Sequence, residues 1–334
     1  MSGNNTDNTR SLARRDIYSQ MILDELYDGF LPEGLARDVS DFPDGTTLYI
    51  PTFGEVVIED VIEDQETPTS TIDTGRITLE IDQHKGAGVD FTDELMEDAY
   101  YAEQLEAVAP GKMLHGLKEV YETQLLETGE RGQLQGDSNL INNYAHRFVA
   151  SGANGEITLD DFAYMKVAMK KANVPEEGMI CIVDPITEMT LNRLTNLVNV
   201  SNNPHFEGIV ETGFAKNMRF IRNIFGWDVY CSNRLPRIDT ETIDATAGNL
   251  TVAPVGAAAA GGPQTAVNAY AAQFMSVADD MVTPYMSAWR RQPKVEFYRD
   301  GPRRKDVYYL TARYGFGMQR PQSLGTVLTS IENY

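Results

Sequence analysis

Residues able to do chemistry are present, but their spacing does not assemble a reaction centre. The four histidines are His84, His115, His146 and His205, and no two are spaced to share a metal ion. Cys181 and Cys231 are the only cysteines, too few for a disulfide framework or an all-cysteine zinc site, and both read as small buried apolar residues. Gly129-Glu-Arg-Gly-Gln-Leu-Gln-Gly136 is glycine-rich but lacks the lysine of a phosphate-binding loop. No GxSxG nucleophile elbow occurs. Carboxylates are abundant. Asp93, Glu94, Glu97 and Asp98 would share a helix face, where paired acids could serve general acid–base chemistry, yet nothing apolar or cationic nearby marks one as perturbed. Glu59, Asp60, Glu63, Asp64 and Glu66 are dense in acid, without the alternating Asp pattern of a calcium loop. The expectation is no catalytic residue, no metal site and no cofactor.

The 334 residues carry 28 basic and 49 acidic side chains, a net charge of −21. So acidic a chain is poorly suited to sequence-specific nucleic-acid binding or to anionic membranes. No apolar run is long enough to span a bilayer, and Met1 to Arg10 lacks the apolar core of a signal peptide, so a cytosolic origin is expected. The charge is segregated. Asp41 to Tyr100 holds sixteen acids against two bases, whereas Arg290 to Arg320 holds nine bases against three acids. One reading is two solvated faces. The other is contact between copies, with Glu59, Asp60, Glu63, Asp64 and Glu66 of one meeting Arg299, Arg303, Arg304 and Lys305 of another.

The elements that would position these groups follow from pattern. Leu12, Ile17, Met21, Ile22, Leu26 and Phe30 give the amino-terminal segment a sticky side. Thr46–Pro51, Glu55–Ile62 and Thr71–Ile81 read as strands of an extended acidic hairpin with a polar tip. Such a ribbon is marginal alone and needs a partner surface. Val89 to Gly129 reads as helix, with Thr92 as N-cap and a break at Pro110–Gly111. Gly129 to Gly155 reads as loop. Thr158 and Asp161 form a capping-box pattern, Met179–Val183 a buried strand, and Asp184–Pro185 a helix start running to about Val200. Phe220 to Leu235 supplies strands, 245–272 a variable surface loop, and Phe274–Val282 a return strand or short helix. Val295–Tyr298, Val307–Tyr314 and Gly315–Arg320 are strands with exposed Arg and Tyr, and Arg299, Arg303, Arg304 and Lys305 flank the Asp300-Gly301-Pro302 turn, projecting from a loop rather than packing in the core.

The order of these segments resembles the tailed-phage major capsid proteins of the Hong Kong 97-type fold. Gly86 to Asp98 is similar to that family's entry into its long spine helix. Met179-Ile-Cys-Ile-Val-Asp-Pro185 and Phe225-Gly-Trp-Asp-Val-Tyr-Cys-Ser-Asn-Arg-Leu-Pro236 resemble its axial domain, and Tyr314 to Leu324 its closing strand. The resemblance implies an α+β subunit: an N-terminal arm (1–44), an extended β-hairpin loop (45–85), a peripheral domain with the spine helix (86–150 and 285–334) and an axial α/β domain (151–284). It implies self-assembly as pentamers and hexamers into an icosahedral head around double-stranded DNA, located in the virion after assembly in the host cytoplasm. Implied partners are further copies of the chain, a separate scaffolding protein, a portal and a decoration protein, with DNA held without sequence specificity and no membrane. Some relatives crosslink a hairpin lysine to a neighbour's asparagine. Here Lys85, at the hairpin base, is the only lysine nearby, and that chemistry is not expected. A nanocompartment shell of the encapsulin type and a carboxylate-based hydrolase are the alternative readings.

Overall fold

The computed structural model describes residues 31, 34–40, 45–54, 60, 74–98, 102–131, 134, 136–152, 155–193, 223–243 and 264–330. Two sheets and one long helix organise them. The first sheet has four strands, in the order β1 (Ala36–Asp38), β13 (Tyr285–Asp300), β14 (Lys305–Met318) and β4 (Gln83–Thr92). β13 and β14 form a long antiparallel hairpin, β4 runs antiparallel to β14, and β1 lies parallel to β13. The pairing register shifts between Trp289 and Lys294, where Pro293 has no N–H to donate to the ladder.

Across one face of this sheet lies α2 (Ala102–Arg131), preceded by the short α1 (Asp93–Asp98). Met113, Leu117 and Tyr121 of α2 pack on Leu310, Tyr314 and Phe316 of β14. The Tyr121 ring stacks on Trp289 with centroids 4.8 Å apart. The helix begins later than its sequence pattern indicates, because Gln83–Thr92 pairs with β14 as a strand. Thr92 is still the cap, accepting the Leu95 N–H at 3.3 Å. Pro110 does not break the helix as expected. It removes one backbone donor, and the turns beyond it, packed on β14, continue the helix to Arg131.

The second sheet has seven strands. β7 (Arg147–Val149), β15 (Leu324–Ser330), β12 (Gln264–Ser276), β8 (Met179–Val183), β10 (Trp227–Cys231) and β9 (Asn223–Ile224) lie in that order, and β11 (Arg237–Ile243) pairs with the first half of β12. β8 is buried along its whole length, as suits a central strand covered on both faces. One cover is α3 (Leu159–Lys171), whose Phe162, Met165 and Met169 pack with Trp227 and Phe274. The other is the end of α2, where Leu125 and Leu126 meet Ile180, Ile182, Met275 and Leu324. The α3 capping box forms: the Thr158 N–H donates to Asp161 Oδ2 at 2.8 Å, and Ser151 N–H donates to the same carboxylate at 3.1 Å. Burial nevertheless raises the Asp161 carboxyl above its ordinary range. α4 (Pro185–Arg193) starts where expected, with Asp184 accepting the Ile186 N–H at 2.9 Å; its expected continuation to Val200 lies outside the described residues.

Other expectations are corrected. The stretch expected as a variable loop, 245–272, ends in β12, where Ala266, Ala269, Ala271 and Ala272 are buried; 244–263 lie outside the described residues. Small side chains are what a strand flanked by β11, β15 and β8 can accommodate. The strand ends at Ser276, short of Val282. The expected loop 129–155 holds the end of α2 and β5 (Leu140–Ile141), β6 (Tyr144–Ala145) and β7. β15 and β7 lie in the seven-stranded sheet, and Gln83–Lys85 open β4. Cys181 is buried, but Cys231, at the end of β10, is exposed.

A two-stranded ribbon, β2 (Thr47–Phe53) with β3 (Thr74–Glu80), projects from the first sheet. Leu48, Ile50 and Ile77 pack at its base around Leu79, Ile81 and Met286. Gly315 permits the crossing, since a Cβ there would collide with the Glu80 carbonyl. Tyr49 and Phe53 on the ribbon are exposed.

Candidate intersubunit surface

The turn between β13 and β14 gathers the expected basic residues beside α1. Arg304 has φ 51°, a left-handed conformation that closes the turn, and its carbonyl accepts the Asp93 N–H at 3.0 Å. Arg299 forks between Asp93 Oδ2 (2.7 Å) and Asp306 Oδ1 (3.0 Å). Lys305 Nζ lies 2.5 Å from Asp90 Oδ2. The hydrogen bond from Lys305 and its charge hold the Asp90 carboxyl below the usual range. The bond from Arg299 does the same for Asp93. Two of the four basic candidates, Arg299 and Lys305, are therefore paired within their own chain. Their partners are Asp90, Asp93 and Asp306. Arg303 differs: its side chain is 75% exposed, with a distant contact of 3.9 Å to Asp300.

Of the acidic candidates, Asp60 is described and exposed, whereas Glu59, Glu63, Asp64 and Glu66 lie outside the described residues. Asp93, Glu94, Glu97 and Asp98, the carboxylates a hydrolase could have used, sit on or at the start of α1, which buries none of its residues. Among the described residues no group of three or more His, Cys, Asp or Glu could hold a metal ion, and no helix is long and apolar enough to cross a membrane.

The exposed tyrosines expected on this hairpin are present, whereas its exposed phenylalanine and the ring stacking across its strands were not expected. Phe297, Tyr298 and Tyr309 are large and exposed. Tyr298 and Tyr309 stack across the strands, 5.5 Å apart and 11° from parallel. On the helix side, Tyr308 donates its hydroxyl to Glu106 Oε1 at 2.6 Å, and this bond pushes the phenol up to about 12. The signal was available in Val295-Glu-Phe-Tyr298 against Val307-Tyr-Tyr-Leu310, two runs that place aromatics on both faces of one hairpin. An exposed surface combining aromatic area with mixed charge suits protein–protein contact rather than catalysis.

A two-stranded ribbon, a long helix across the first sheet and a second sheet covered by helices make up the described residues. A family profile described as "Phage capsid protein" matches residues 75–327. The chain belongs to that phage capsid protein family, and the expected likeness to tailed-phage capsid proteins holds. Solved structures share the fold. The capsid of cyanophage P-SCSP1u is 14% identical with a TM-score of 0.66, over 94% of this chain and 92% of that one. The mature capsid of bacteriophage PhiM1 is 14% identical, at 0.61, over 99% and 100%. Mycobacterium phage Che8 is 16% identical, at 0.59, over 93% and 96%. A search of curated protein sequences finds no match. The protein has a structural, capsid-forming role.

Proposed function

We propose that this subunit is the major capsid protein of a tailed phage, assembling as pentamers and hexamers into an icosahedral head that encloses double-stranded DNA. The observation that carries this reading is the family match across three quarters of the chain, on a fold whose ribbon leaves Tyr49 and Phe53 exposed. Such a ribbon gains burial only against another molecule. A separate scaffolding protein, a portal and a decoration protein are the partners this role calls for, with assembly in the host cytoplasm and residence in the virion. The reading includes no catalytic step and no cofactor. The arm, hairpin loop, peripheral and axial divisions of the Hong Kong 97 type belong to the same proposal.

Within it, Glu59, Asp60, Glu63, Asp64 and Glu66 of one copy face the basic turn of a neighbour. Arg303, more accessible than Arg299 and Lys305, makes first contact. The test is sedimentation and electron microscopy of the protein expressed with a scaffolding partner. Arg303→Glu with Arg304→Glu should keep the circular dichroism of the wild type and lose closed shells, and charge reversal in 59–66 should restore part of the yield. Wild-type shell yield from the Arg303/Arg304 variant would refute the contact. No shells from wild-type protein under any condition would refute the larger role.

A further inference from the structure

An open apolar groove of about 370 Å³ runs between α2 and the edge of the first sheet. Leu35, Leu114, Leu117, Leu125, Trp289 and Pro293 line it. We propose that residues 21–30 of the same chain seat in this groove in the unassembled subunit, so that each subunit covers its own helix with its own amino-terminal arm.

The position of Leu31 supports this occupant. Leu31 itself lines the groove, and its N–H donates to Glu122 Oε1 at 3.0 Å. Glu122 is fixed in turn by Arg234, whose Nη1 lies 2.9 Å from the other carboxylate oxygen. Leu31 is thus anchored on the groove wall, and the chain before it is tethered there. Its tether gives an effective concentration of order millimolar, which a second copy in dilute solution cannot match.

The sequence of the segment suits the lining. Met21-Ile-Leu-Asp-Glu-Leu-Tyr-Asp-Gly-Phe30 holds six large apolar side chains, and the groove is lined mainly by leucine, tyrosine and tryptophan. The intervening Asp24, Glu25 and Asp28 are acidic, and Lys118 stands on the groove wall. Reach is sufficient. Glu122 back to Leu114 is about 12 Å of helix axis, and ten residues cover about 15 Å as helix or about 33 Å extended. Left uncovered, this wall would add to an apolar surface that soluble monomers rarely display.

The inference concerns the free subunit and does not rest on the shell reading. Two measurements on the full chain test it, both in dilute solution with sedimentation confirming a monomer. The protein has two tryptophans. Trp227 is fully buried, while Trp289 lines the groove and reports on it. Leu26→Asp with Phe30→Asp should shift the emission to the red and raise the acrylamide quenching of one tryptophan, with circular dichroism unchanged. Unchanged quenching would overturn the proposal. The second measurement needs no substitution. Zero-length carbodiimide coupling of mixed isotope-labelled and unlabelled wild-type chains should join Lys118 to Asp24, Glu25 or Asp28 within single chains. Links only between labelled and unlabelled chains would make a second copy the occupant, and absence of any such link would leave the groove unfilled by the arm. Either result refutes the inference.

Discussion

Replacing Arg147 by alanine should destabilise the subunit more than any surface change. The Arg147 guanidinium is almost fully buried, with Nη2 2.8 Å from Glu130 Oε2 and Nη1 2.5 Å from Glu241 Oε1. It thus ties the end of α2 to β7 and to β11. Removing it strands two carboxylates whose side chains are 13% and 6% exposed. Breaking a buried ion pair from one side costs about 3–5 kcal/mol. For 334 residues the unfolding entropy scales to roughly 0.7 kcal/mol/K, so the melting temperature should fall by about 4–7 °C. Replacing all three with apolar residues (Glu130→Leu, Arg147→Met, Glu241→Leu) should recover only part of this. Recovery stops short because Gly136 N–H donates to Glu241 and Arg147 donates to the Asp137 carbonyl. Each orphaned backbone group costs about 1–3 kcal/mol. Calorimetry of the unassembled subunit reads both variants. A loss below about 1 kcal/mol for Arg147→Ala would refute the reasoning, because surface pairs sit in that range.

Gly129→Ala should cost about 1–3 kcal/mol by urea titration, because a Cβ there would lie 2.5 Å from the Tyr285 hydroxyl and 3.0 Å from Leu324; no loss of stability would show that this packing relaxes freely. His146 is fully buried, and burial lowers its imidazole below 6.5. The unfolded chain then takes up a proton that the folded chain refuses, so stability should be level above about pH 7 and fall as pH drops through 6.5 toward the depressed folded value. His146→Gln should flatten the melting temperature below about pH 6.5, and an unaltered slope would assign the acid sensitivity to other groups.

Local grammar made much of the fold legible. Caps at Thr92 and Asp184 mark helix starts because their side chains accept backbone N–H groups two or three residues on, and at Thr158 the cap's own N–H donates to the Asp161 carboxylate. The buried strand Met179–Val183 is legible because every residue in it is apolar or a thiol. What escaped depends on distant partners. Gly86, Gly88 and Val89 read as an approach to a helix, yet β14, more than two hundred residues on, recruits them as a strand. Alanines in 264–272 look like filler until β11, β15 and β8 close around them. Arg147 lies in a stretch that reads as loop, and its carboxylates are 17 and 94 residues away. Pro110 carries a local breaking signal that tertiary packing overrides.

The segregation of charge was equally legible, but its meaning changes once the pairs are placed. Asp90 and Asp93 count toward the acidic half of the chain, yet they neutralise Lys305 and Arg299 of the basic half within one subunit. Fewer cations remain to meet a neighbour than the sequence count implies, and among the four turn residues these are Arg303 and Arg304. Exposed pairs are individually weak and are screened by salt. In the proposed contact between copies, charge therefore sets register and excludes wrong partners, while area must come from elsewhere. The exposed Tyr49 and Phe53 of the ribbon and the Phe297, Tyr298 and Tyr309 cluster of the hairpin supply it. Aromatic side chains bury large areas at small entropic cost, so these positions, rather than the acids, should carry the strength of assembly.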